Sequence, residues 1–142
     1  MTNSINKGKS FERKIAKILS DDFGIRFQRV PCSGGFSTML NVENPIFHGD
    51  IFVEDEKWNH EHNAVIECKC IKRLTLNDYV NYLKGEGIIS EWIRQCQREC
   101  KDKNFWLIFT YNGTNKNFII VGKQNDGWYI TDIMFLEDWL AL

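Results

Sequence analysis

Proline is nearly missing from this chain: Pro31 and Pro45 are the only two in 142 residues. No proline-rich linker, repeat or low-complexity tract divides the sequence, and its length suits one domain spanning residues 1–142. Long apolar runs are missing as well. Although 43% of the residues are hydrophobic, no stretch approaches the roughly eighteen apolar residues of a membrane span. The opening MTNSINKGKSFERK is polar and basic with no apolar segment behind it, so a soluble, cytoplasmic protein is expected. Five cysteines, an odd number, do not suit a disulfide framework in that compartment. Cys68, Cys70, Cys96 and Cys100 are instead expected as small, reduced core residues.

An excess of either charge is also lacking, with 18 basic and 19 acidic residues giving a net charge of −1. The overall balance neither demands nor excludes a nucleic-acid partner. Its distribution is uneven, however: Met1 to Pro31 carries seven Lys or Arg against three acids, and Asp126 to Leu142 carries four acids and no base. Two familiar motifs fail on spacing. Cys68-x-Cys70 lacks the two-residue spacer of a zinc knuckle, and His60-x-His62 sits in a polar run. In "GKS", Gly8 to Ser10, Asn3 stands where a phosphate-binding loop needs its first glycine.

What is present is a clear alternation of periods. Phe11, Ile15, Ile18, Leu19 and Phe23 recur at helical spacing before Gly24, which predicts a helix from about Lys9 to Phe23. Lys9, Arg13 and Lys17 then share a solvent-facing stripe. "IRFQRVP" alternates as a strand, Phe36 to Phe47 reads as a loop, and "DIFVE" and "AVIECKC" read as paired strands joined by the polar connection "DEKWNHEHN". The chain turns helical after Arg73, breaks at "KGEG", and resumes a helix from about Ile88 to Asp102. "NFWLIFTY", "NFIIVG" and "GWYIT" follow as strands, with a short helix near Phe135 to Leu140. That order predicts an α/β or α+β fold, a mixed sheet covered by helices. Trp92, Phe105, Trp106, Phe109 and Phe118 fall on these periods and are expected in the core. Trp58, inside the polar connection, has no periodic reason to be there.

Two charges interrupt an otherwise apolar strand at Glu67 and Lys69. Alternation puts Val65, Glu67 and Lys69 on one face, expected to border a cleft, and Ile66, Cys68 and Cys70 on the other. If the preceding strand pairs with this one, Asp50 can lie beside Glu67, and a divalent cation relieves the repulsion of two such carboxylates. Oxygen ligands favour magnesium, with manganese as a substitute, over zinc. Lys69 can hold a water or stabilise charge developing at phosphorus. Glu12, at the edge of the first helix's apolar stripe, can add a further metal or water ligand. The bland alternatives are a cross-strand salt bridge for Asp50, Glu67 and Lys69, and a surface pair with Lys9 for Glu12.

An aspartate followed by Glu-x-Lys on the next strand, after a helical glutamate, resembles the PD-(D/E)xK nuclease superfamily. More narrowly, "KGKSFERKIAKIL", "FQRVPCSGG", "HGDIFV" and "VIECK", in that order, resemble the archaeal-type Holliday-junction resolvases and their phage-encoded relatives. The likeness runs from Lys7 to about Arg73. It implies a restriction-endonuclease-like fold, a homodimer, and Glu12, Asp50, Glu67 and Lys69 as the catalytic set, with Ser33 of "PCSGG" beside the scissile phosphate. Gly49 stands where the superfamily name has proline, as is common in resolvase-like members, whereas the mildly acidic pI differs from the strongly basic archaeal resolvases. Gln95 lies where RecB-like relatives carry an active-site glutamine, without the aromatic that follows it there.

The reading is thus a magnesium-dependent endonuclease acting on branched DNA such as a four-way junction, in the host cytoplasm if the chain is phage-encoded. Lys9, Arg13, Lys17, Arg29 and Ser33 are the expected DNA contacts. A repair, nicking or restriction nuclease, or a non-catalytic DNA-binding module, are the alternatives. The terminal helix, with Phe135, Leu136, Trp139 and Leu140, is one candidate dimer surface, and packing on its own sheet is the other reading of it.

Overall fold

The computed structural model describes residues 4–31, 49–123 and 127–140. Ser33 and the expected loop from Phe36 to Phe47 lie outside the described residues. The first apolar stripe forms α1 (Ser4–Phe23), which begins earlier than the periodicity indicates. Its opening turns give no apolar signal because Ile5 there is 62% exposed. The "GKS" tripeptide is an ordinary segment of this helix.

The strands are β1 (Phe27–Arg29), β2 (Ile51–Val53), β3 (Ala64–Ile71), β4 (Asn104–Tyr111), β5 (Phe118–Lys123) and β6 (Gly127–Asp132). They form one six-stranded sheet in sequence order. Every neighbouring pair is antiparallel except β3 and β4, which run parallel with Glu67 opposite Leu107 and Lys69 opposite Phe109. A parallel pair needs a crossover. Here it is made by α3 (Leu76–Leu83) and α4 (Gly87–Cys100), the two helical segments flanking the expected break. A short 3-10 turn and α5 (Leu136–Leu140) close the chain.

Apolar residues on opposite faces of the sheet pack against different helices. On one side Phe11, Ile15 and Leu19 of α1 meet Ile66, Trp106 and Ile108, and on the other Ile89, Trp92 and Ile93 of α4 meet Val65, Phe105 and Leu107. The run "NFWLIFTY" is apolar throughout because both its faces are covered. Gly122 lies opposite Phe105, and a Cβ there would come within 2.1 Å of the Phe105 ring. The cysteines behave as expected: Cys96 and Cys100 are buried on the inner face of α4, and Cys68 and Cys70 pack against the α1-side core.

The connection "DEKWNHEHN" contains a helix, α2 (Glu56–His62), where the sequence suggested an irregular link. Asp55 caps it by accepting the Trp58 backbone N–H at 2.8 Å, and Asn63 ends it in the left-handed region at φ 45°. The helix exists to place Trp58. Its indole is 5% exposed and meets Phe27, His62 and Trp106 at ring-centroid distances of 5.1, 4.9 and 5.2 Å. Burial of an aromatic of this size contributes about 2–3 kcal/mol. The terminal segment packs on its own sheet: Leu136 is buried and Leu140 rests on the α1-side core. Among the described residues no helix is long and apolar enough to cross a membrane.

Candidate active site

The site is built where β2 meets β3. Gly49 has φ +83°, and a Cβ on it would lie 2.5 Å from the Ile66 carbonyl oxygen, so the close approach of the two backbones requires glycine. Asp50 then donates its backbone N–H to that carbonyl at 2.8 Å. Its carboxylate accepts the Cys68 backbone N–H at 2.7 Å. The side chain thus takes over the role of a ladder carbonyl on β3, which fixes it beside the Glu67 segment. On the other side of the contact the strands separate. A cavity of about 210 Å³ opens there, lined by Phe52, Val53, Ala64 and Val65 among others.

Glu67 is 7% exposed and hydrogen-bonded to Asp50. Burial, followed by the charge of Asp50 and that hydrogen bond, pushes its carboxyl up to about 9; Glu99 adds to the rise and Lys69 opposes it. At neutral pH Glu67 therefore keeps its proton when no cation is bound. Lys69 extends from the same face and donates to Gln95 Oε1 at 3.1 Å, and Gln95 in turn donates to Glu99 Oε1 at 3.0 Å. The face that alternation assigned to a cleft is thus covered in part by α4: Val65 is core, Glu67 is buried, and Lys69 is half-buried against Gln95.

Glu12 also approaches the junction, from the α1 side. It is 8% exposed, and its Oε2 accepts Arg29 Nε at 2.5 Å. The thiol of Cys68 is pushed well above its ordinary value by burial and then by Asp50, Glu12 and Glu67, so all three carboxylates act on that one side chain. They are not gathered as three ligands: among the described residues no group of three or more acidic, histidine or cysteine side chains has the geometry to hold a metal ion. The tight pair is Asp50 with Glu67.

A family model described as "Phage putative PDDEXK endonuclease" matches residues 3–135. The chain belongs to the phage PDDEXK endonuclease family. It is a nuclease of the PD-(D/E)xK superfamily, and its mixed sheet with helices on both faces is the restriction-endonuclease-like α+β architecture expected from the sequence. The chain is also 28% identical over 128 residues to protein D14 of Escherichia phage T5, a match covering 90% of this chain and 69% of that protein. No solved structure matches it.

The PDDEXK nuclease places its expected DNA contacts unevenly. Arg13 and Lys17 are exposed on α1 and Lys9 is half-buried. Lys17 pairs with Asp21 at 3.0 Å, a surface contact of little energetic weight. Arg29 differs from expectation, because its side chain is only 16% exposed and committed to Glu12. Sequence reasoning missed Glu99. The available signal was its spacing, four residues after Gln95 on α4, which puts both on one helical face. Nothing in the sequence marked the Arg29 and Glu12 partnership, which joins residues 17 positions apart on different elements.

Proposed function

We propose that this nuclease is a magnesium-dependent endodeoxyribonuclease that cuts branched DNA, foremost a four-way junction, with Asp50, Glu67 and Lys69 as its catalytic core. The observation that carries the reading is the hydrogen-bonded Asp50 and Glu67 pair with Lys69 one strand period beyond. The buried Glu67 carboxyl and the half-buried Asp50 side chain beside it form an oxygen donor set that a hard divalent cation fits. Asp50 and Glu67 are the residues that would hold magnesium, or manganese in its place. Bound there, the ion would supply charge neutralisation at the phosphate and would acidify a water.

The protein's own residues supply position. The Cys68 N–H holds the Asp50 carboxylate toward Glu67. Lys69, oriented by Gln95, faces the phosphate and stabilises the negative charge that builds as a water oxygen bonds to phosphorus and one P–O ester bond breaks. The products are a phosphomonoester and a hydroxyl group. Glu12 shapes the α1 side of the site through Arg29, while Lys9, Arg13 and Lys17 contact phosphates without reading sequence, with Ser33 beside the scissile one. The junction preference rests on the ordered likeness of the four N-terminal segments to resolvases, and it calls for two copies, one for each opposed strand.

The test is cleavage of a labelled four-way junction and a matched linear duplex, in magnesium or EDTA, by wild type, Glu67→Ala and Lys69→Ala. Metal-dependent, junction-selective cutting lost in both variants is expected. Equal cutting of both DNAs would discard the junction and keep the nuclease. Junction binding with no cutting in any metal would reduce the chain to a binding module.

A further inference from the structure

Helix α4 is used on two flanks. With about 3.6 residues per turn, Ile89, Ile93 and Cys96 take its inner face, Gln95 and Glu99 fall to one side of that line, and Ser90, Arg94 and Gln97 fall to the other. The first flank meets Lys69 and the nuclease site. The second borders a separate cavity of about 350 Å³, which Tyr82 and Leu83 of α3 and Trp128 of β6 also line. That size lies in the range of small-ligand sites, roughly 300–1,000 Å³.

The cavity combines a stacking surface, a buried hydroxyl and a cation. Trp128 is 44% exposed, yet its indole is fixed at one edge, where Nε1 donates to Tyr82 Oη at 3.1 Å. An aromatic ring held by its edge and lining an open cavity is a platform for another flat ring. Leu83, the last residue of the exposed apolar stripe of Leu76, Tyr79, Val80 and Leu83 on the outer face of α3, adds an aliphatic wall. Ser90 is only 6% exposed, and no described residue hydrogen-bonds its hydroxyl, although buried polar groups are normally paired. Exposed Arg94, anchored by Nη1 to the Gly85 carbonyl at 3.2 Å, sets a positive charge at the rim. Gln97, also exposed, brings an amide that both donates and accepts.

We propose that this cavity binds one unstacked nucleotide, its base against Trp128 and Leu83, its polar edge toward Ser90 and Gln97, and its phosphate at Arg94. A planar heterocycle with a hydrogen-bonding rim, joined to an anion, uses every one of these groups. An apolar ligand would leave the Ser90 hydroxyl unpaired, and a base that is paired and stacked in a duplex offers neither its face nor its pairing edge. The proposal rests on DNA as the substrate of the nuclease and names the feature of that DNA which is held: a nucleotide left unpaired at a branch or break. The width of α4, about 10–12 Å, separates the cavity from the Lys69 flank, a span that a few nucleotides of one strand cover.

Fluorescence anisotropy in EDTA, where no metal supports cleavage, tests it with a labelled duplex carrying one unpaired adenine and the same duplex fully paired; AMP titrated alone represents the free nucleotide. Wild type is expected to bind the duplex with the unpaired adenine roughly tenfold more tightly. Trp128→Leu should abolish that difference and Trp128→Phe keep most of it, while Arg94→Ala and Ser90→Ala each lower it severalfold, with circular dichroism melts confirming that the variants fold. Should Trp128→Leu lose the fold, the Arg94 and Ser90 variants carry the test. Saturable AMP binding that the same variants lose, without a preference between the duplexes, would assign the cavity to a free nucleotide. Equal affinity for both duplexes with no binding of AMP, or a preference that the Trp128→Leu, Arg94→Ala and Ser90→Ala variants all retain, would overturn the proposal. Cleavage in magnesium reports separately on the nuclease: a wild type that cuts DNA without the preference overturns the cavity alone, and one that neither binds nor cuts DNA overturns the DNA reading with it.

Discussion

The carboxylate of Asp50 holds the backbone N–H of Cys68, taking the place of a strand carbonyl where β2 leaves β3. One side chain therefore serves the sheet and the site together. Asp50→Ala leaves the Cys68 N–H without that acceptor and is expected to cost about 1–3 kcal/mol in urea denaturation. Asp50→Asn keeps an acceptor oxygen and is expected to cost less while removing cleavage. Equal stability losses in the two variants would show that the bond contributes nothing to the fold.

Gly49→Ala is expected to destabilise the protein by about 2 kcal/mol, since it combines positive φ with a Cβ clash against β3 backbone. Cleavage should fall with it, because Asp50 is the next residue and moves with the strand. Thermal melting and turnover measured on one preparation check both. A neutral substitution would mean that the two backbones can separate without cost.

Glu67 gives the metal-free protein a pH dependence of definite sign. Its folded value, about 9, lies above the unfolded 4.5. Its contribution to stability is fully present below 4.5, declines as pH rises, and is gone above 9, because ionising it in the fold is unfavourable. His62 is lowered by burial and acts oppositely, its contribution being present above 6.5 and lost as pH falls. Glu67→Gln isolates the first effect. The variant is expected to melt higher than wild type in EDTA at pH 8, with the difference shrinking toward pH 5. Magnesium should raise the wild-type melting temperature and leave the variant unmoved; a variant that melts like wild type at every pH would refute the assignment.

Removing one member of the Glu12 and Arg29 pair leaves a mostly buried charge without this partner. Glu12→Ala is expected to cost about 3 kcal/mol, and Glu12→Leu with Arg29→Met to recover much of that. Chemical denaturation of the single and double variants measures the coupling. Additive losses would show that the two side chains do not act as a pair.

Gln95→Ala removes the acceptor that orients Lys69. Cleavage is expected to drop by about tenfold or more, at the scale seen when an outer partner of a site residue is lost. Glu99→Gln, which changes the far end of the same chain of hydrogen bonds, should have a smaller effect. Unchanged cleavage in Gln95→Ala would remove this residue from the site.

The elements were legible in the sequence because their signals are local. Helical spacing from Phe11 to Phe23 and from Ile89 to Cys100, and the apolar strands between and after them, are set by which residues share a face. The same alternation showed Glu67 and Lys69 to be out of place in their strand, and the ordered segments around them pointed to the nuclease superfamily. Three things depended on contacts between distant positions. Trp58 looked misplaced because its partners Phe27 and Trp106 lie on strands elsewhere in the sheet. Glu12 could be placed near the site, but only packing decided that Arg29 holds it. The stripe on α3 has the period of a core face, and period alone cannot tell which amphipathic helix its own sheet will cover. The tertiary structure decides that, because α4 occupies the sheet and leaves the outer face of α3 open.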